Sequence, residues 1–279
     1  MAEIRDILLF MTSYPSRTPS WAIAASASLA QGLDAKLSAA LCQTHLPRIG
    51  NWLAEKLIQA DELITAENAK SKGDAQQLLA EFASAVDEDG RGEQIVIDCV
   101  GLIDSAALAR QARQHDLTIV PAEPSLDYRP VAEGLMFDSG RPVLLLPRAG
   151  GAGHRLDMVM VGWDGSRPAA RALADALPLC QRAKSVRLLV VTGEKDVAVE
   201  QSMAGIQRHL ALHGVDADYA EVPARGQDAG SALMNHCVEA GADLLVMGAF
   251  GQSRMREFVL GGATRSVVDG PALPVLLAH

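Results

Sequence analysis

RPVLLLP at residues 141–147 and LPVLLAH at residues 273–279 are two copies of one strand, and the repeat they reveal decides the fold. Pro142 and Pro274 stand 132 positions apart. Working back from them, DLTIVPA (116–122) matches DLLVMGA (243–249), and DILLFMTS (6–13) matches DMVMVGWD (157–164). Three matches in one order mark an internal duplication. The last of them sets Ser13 against Asp164. RAGGAGH (148–154) separates the copies, its glycines marking a flexible linker. The chain therefore reads as two domains, 1–147 and 154–279. That division accounts for a length of 279 residues, more than one hydrophobic core usually serves.

Each copy alternates short β-rich runs with longer helical patterns. In the second, strands are expected near 158–163, 186–192, 217–222, 244–248 and 275–277, with helices near 168–179, 197–212, 230–240 and 264–269. In the first, strands are expected near 7–11, 37–41, 94–100, 118–120 and 143–146. Near-continuous apolar strands separated by helices specify a parallel sheet covered on both faces. The expected class is α/β: two tandem doubly wound domains, each a five-stranded, mainly parallel sheet with helices on both faces. The first copy carries an insertion at 52–86, where Leu53, Leu57, Ile64, Leu78, Leu79 and Phe82 recur at helical spacings. One broken long helix or two shorter ones fit. The insertion is read as extra core cover rather than as a partner-binding arm or lid, because amphipathic helices bury their stripe locally.

Hydrophobic residues make up 49% and charged residues 21%, which excludes disorder as the dominant state. A net charge of -9 without any basic run excludes sequence-independent nucleic-acid binding and disfavours anionic membranes. It leaves room for a small anion held by backbone amides. Cys42, Cys99, Cys180 and Cys237 are widely separated, and buried reduced thiols are expected. No apolar run is long enough to span a bilayer. Glu3 and Asp6 precede the apolar stretch at 7–11, and Pro15 and Pro19 follow it, so a signal peptide is not expected and the cytoplasm is.

Ligands of a doubly wound sheet bind beyond the carboxyl ends of the strands, where strand order reverses. In the second copy the first strand ends in GWDGS (162–166), and the fourth runs into GAFGQSRMREFVLGGATRS (248–266). Glycines let a backbone approach phosphate closely, and N–H groups at a helix start favour anions. Ser253, Thr264, Arg254, Arg256 and Arg265 lie in the same segment. Other chemistries find less support. The chain has neither Gly-x4-Gly-Lys-Ser/Thr nor Gly-x-Ser-x-Gly. His209 and His213 share a helix face without a third metal ligand nearby, and His236 and Cys237 point to different faces.

The spacing Gly248-x2-Gly251-x9-Gly261, followed by Gly262, resembles the nucleotide-binding signature of the universal stress protein family, whose pattern is Gly-x2-Gly-x9-Gly and then Ser or Thr. Asp164 at a strand end, the LPVLL last strand and the tandem length extend the resemblance over essentially the whole chain. The resemblance implies that Asp164 and the backbone near Val191 hold adenosine. It likewise implies that Gly248, Gly251, Gly261 and Gly262 hold the phosphates of ATP. Gly262 stands where the family has Ser or Thr, and Thr264, two residues later, is the hydroxyl expected to replace it. In the first copy Pro121 and Pro124 stand where the glycines would be, so that copy reads as degenerate. The resemblance further implies pairing of the last strands into an intrachain pseudo-dimer, possible homodimerisation, and a stress-response sensor acting on a protein partner. A nucleotide-free interaction scaffold and a slow ATP hydrolase are the alternatives; no metal site is evident.

Overall fold

The computed structural model describes residues 3–47, 58–148, 156–193, 199–249 and 262–279. The first half contributes β1 (Asp6–Thr12), α1 (Ser20–Leu33), β2 (Lys36–His45), α2 (Ile58–Ala85), β3 (Arg91–Val100), α3 (Ser105–Ala112), β4 (Leu117–Pro121), α4 (Tyr128–Asp138) and β5 (Val143–Leu146). The second contributes β6 (Met158–Gly162), α5 (Arg167–Arg182), β7 (Ser185–Thr192), α6 (Val199–Leu212), β8 (Ala217–Pro223), α7 (Ala229–Ala240), β9 (Leu244–Gly248), α8 (Gly262–Asp269) and β10 (Val275–Ala278). The linker expected at 148–154 falls mostly outside the described residues.

Among the described residues all ten strands join one sheet in the order β3-β2-β1-β4-β5-β10-β9-β6-β7-β8. Pairing is parallel within each half and antiparallel at the seam, where Leu145 faces Val275 and Val143 faces Leu277. The two last strands thus fuse two five-stranded halves edge to edge, with both apolar strands fully buried. One face of the sheet is covered by α1, α2, α5 and α6 and the other by α3, α4, α7 and α8, so each core layer runs continuously through both halves. On the second face the Tyr128 hydroxyl donates to the Val268 carbonyl at 2.7 Å, and Arg129 pairs with Asp269 at 3.0 Å.

The repeat is visible hydrogen bond by hydrogen bond. Asp116 accepts the N–H groups of Arg5 and Asp6 at 2.9 and 3.1 Å, and Asp243 accepts those of Asp157 and Met158 at 2.9 and 2.8 Å. Thr118 donates to Pro142 as Leu245 does to Pro274, and Ala122 to Leu146 as Ala249 does to Ala278. These pairs correct one alignment. Matching the aspartates Asp6 and Asp157 sets Ser13 against Asp164, whereas the ladder sets Asp6 against Met158 and hence Thr12 against Asp164. A one-residue slip turns every side chain of a strand to the opposite face, so the correction changes which residue looks into the crevice.

The inserted segment is one unbroken helix over its described length of 28 residues. Ala75, Leu78 and Phe82 are buried in the core, as extra cover requires. Among the described residues, no helix is long and apolar enough to cross a membrane. All four cysteines are free and buried. Burial pushes the Cys180 and Cys237 thiols up to about 12.

Candidate functional site

In the second half, β6 leads into α5 on one face of the sheet, while its neighbour β9 leads towards α8 on the other. A crevice opens at the carboxyl ends of two such strands. Asp164, two residues past β6, is exposed there, and its Oδ1 accepts the Ser166 N–H at 2.9 Å. Ser166 in turn caps α5 by accepting the Ala169 N–H at 3.2 Å. The carboxylate is therefore held by a rigid turn at the start of a helix. Val191 lies near the end of β7, half-buried and packed on the core layer of α7 and α8.

Gly248 closes β9, and its lack of a side chain has a packing cause. A Cβ there would come within 2.4 Å of the Ala169 nitrogen and 2.5 Å of the Pro168 carbonyl carbon. The strand end and the first turn of α5 touch backbone to backbone. Gly262, the first residue of α8, is different: a Cβ would meet only Asp228 Cβ, at 3.9 Å. Thr264 is 3% exposed on the same helix. Gly251 and Gly261 lie outside the described residues, as do Ser253, Arg254 and Arg256. Arg265 turns towards Asp269, 3.6 Å away.

The sequence reading passed over Asp228. Its carboxylate caps α7 by accepting the Ser231 N–H at 3.0 Å, and it also accepts the hydroxyls of Ser231 and Ser266. Burial alone would raise this carboxyl, but hydrogen bonds from Ser231, Ser266 and the α7 backbone hold it below the usual carboxylate range. The helix-start signature Asp-x-x-Ser was available in the sequence. Its proximity to Gly262 was not, because 34 residues separate the two. His209 and His213 meet edge to face, with ring centroids 4.8 Å apart. Among the described residues no group of three or more His, Cys, Asp or Glu is placed to hold a metal.

The first-half counterpart is built differently. Pro121 ends β4 where Gly248 ends β9, and Thr12 takes the place of Asp164. The second-half crevice presents one exposed carboxylate, strand-end backbone and the start of a helix.

The universal stress protein family model matches residues 156–279. A universal stress protein from Archaeoglobus fulgidus DSM 4304 is 14% identical over 97% of this chain and 95% of its own, with a TM-score of 0.68. A functionally unknown protein from Pseudomonas aeruginosa PAO1 is 14% identical over 99% of this chain and 92% of its own, with a TM-score of 0.53. At these identities the likeness is one of fold. No curated protein matches the chain. The second half thus matches the universal stress protein family by sequence, and across both halves the chain has the fold of a tandem protein of that kind.

Proposed function

We propose that the second half binds an adenine nucleotide, ATP, and that the chain acts in the stress response as a regulatory or sensor module with no assigned turnover. The observation that carries this reading is the exposed Asp164 carboxylate at the crevice between β6 and β9. A carboxylate fixed there is an acceptor for ribose hydroxyls. The base then lies near Val191, and the phosphates run towards Gly248, Gly251, Gly261, Gly262 and Thr264, where the α8 N-terminus favours negative charge. ATP binding alters a surface that a protein partner reads, which requires different affinities for the two states. The division into domains 1–147 and 154–279 and a cytoplasmic location belong to the same reading.

A nucleotide-free scaffold is the second reading, and the packing role of Gly248 favours it, because that glycine is needed with or without a ligand. Calorimetric titration with ATP, ADP and AMP separates the two. Saturable heat, with a rise in unfolding temperature that grows with ATP concentration, is the expected result. Neither heat nor a thermal shift at millimolar ATP would overturn the nucleotide reading.

A further inference from the structure

The carboxyl ends of β1 and β2, which match the second-half strand ends carrying Asp164 and Val191, are covered by α2. Ser71 of α2 is 1% exposed, and its hydroxyl donates to the Thr44 carbonyl at 2.6 Å. The Ser13 hydroxyl, 2% exposed, lies 2.8 Å from Ser71 Oγ and donates to it, since the Ser71 proton is already committed to Thr44. One turn earlier, the Asn68 side chain grips a single residue twice. Its Oδ1 accepts the Leu46 N–H at 2.6 Å, and its Nδ2 donates to the Leu46 carbonyl at 3.0 Å. An acceptor beside a donor, both satisfied by one residue's backbone, is the pattern a nucleobase edge offers to a strand end. Farther along α2, Glu81 accepts from Ser20 at 3.0 Å and pairs with Arg17 at 2.5 Å, strapping down the loop after β1. The matching loop of the second half carries Asp164 and Ser166.

Core cover does not require these polar contacts. Ala75, Leu78 and Phe82 anchor α2 and correspond in spacing to Met203, Ile206 and Leu210 of α6. On that spacing Ser71 falls opposite Val199, which has no hydroxyl.

We propose that α2 is the resident occupant of the β1 and β2 strand ends in the first half, holding the backbone there with Asn68 and Ser71, so that the second half alone takes a ligand. The count of one rests on the nucleotide reading of the second half; the occupancy of the first-half strand ends does not. Amide hydrogen exchange on the full chain tests the occupancy. In Asn68→Ala the Leu46 amide is expected to exchange about tenfold faster, whereas amides of β10 keep their wild-type rates. Ser71→Ala is a second variant, expected to speed exchange at Ser13 and its surroundings. Unchanged exchange at Leu46 and Ser13 in both variants would show that Ala75, Leu78 and Phe82 alone hold the helix, and would overturn the proposal. Titration of wild type with ATP tests the count: one equivalent per chain is expected, with the same affinity within twofold in Asn68→Ala. Two equivalents per chain would sink it. No ATP bound at all would remove the nucleotide reading but leave the exchange result to decide whether α2 is the occupant.

Discussion

Thr12 and Asp164 occupy the same point of the repeat, and each side chain accepts the N–H two residues on. Thr12 Oγ1 accepts the Tyr14 N–H at 3.3 Å, and Asp164 Oδ1 accepts the Ser166 N–H at 2.9 Å. Both positions supply an oxygen to that N–H, and in the proposed nucleotide site only the ligand calls for a charge. Asp164→Thr keeps the oxygen and removes the charge. Stability is expected to stay within about 0.5 kcal/mol of wild type, as for an exposed substitution, while ATP affinity falls about tenfold or more. Thermal unfolding and calorimetric titration on one preparation measure both, and equal ATP affinity would place the ligand away from Asp164.

The two described glycines of the motif are expected to respond in opposite ways. Gly248→Ala drives a Cβ into the backbone of Pro168 and Ala169, which cannot swing aside like a side-chain tip. Overpacking of this kind costs about 1–3 kcal/mol, read as a lowered denaturant midpoint. Gly262→Ser meets nothing closer than Asp228 Cβ and removes a helix glycine. It is expected to be neutral or slightly stabilising. Restoring the hydroxyl that the family pattern carries should tighten ATP binding by about 2–12-fold, the worth of one hydrogen bond.

Strand existence, the repeat and both core layers were legible because apolar periodicity and Pro142/Pro274 are properties of local sequence. Register was not. Asp6 and Asp157 look alike in sequence, but the carboxylates of Asp116 and Asp243 choose Asp6 and Met158 as partners, which only the folded ladder shows. The helical character of 52–86 was legible from spacing, but its being one unbroken helix over 58–85 and its reach were not, since Ser71 finds Ser13 across 58 positions. Asp228 was missed for the same reason: its partner Ser266 is 38 positions away.

Asp228 places a carboxylate, held ionised by Ser231 and Ser266, close to the residue that opens α8. A phosphate arriving at that helix start meets the repulsion of this charge. Asp228→Asn keeps a good cap residue for α7, so the cost to stability is expected to be no more than about 1 kcal/mol. ATP should bind several-fold tighter to the variant at low salt, and the gain should shrink as salt is raised. Weaker ATP binding by the variant would assign Asp228 to the ligand instead.

The seam depends on polar contacts as well as on β5 and β10. Tyr128→Phe leaves the Val268 carbonyl without the hydroxyl it accepts at 2.7 Å. Tyr128 is buried, so about 1–3 kcal/mol of stability should be lost. Calorimetric unfolding reports whether the halves still melt together; if they separate, the half lacking nucleotide should melt first.

Glu133 lies beside the same seam. Burial is the main cause that raises its carboxyl above the ordinary value, and Asp269 adds to it, while Arg129 and Arg265 pull the other way. A carboxyl whose folded value is raised costs stability wherever it is ionised in both states, and that cost disappears once pH falls below the unfolded value. Glu133→Gln is therefore expected to raise the unfolding temperature at pH 7 by about 1–2 °C. The gain should fade as pH falls and vanish below about pH 3.5, where the wild-type carboxyl is protonated in both states. Thermal scans of both proteins across that range provide the check. A gain that instead grew on acidification would mean that Arg129 and Arg265, and not burial, dominate at Glu133.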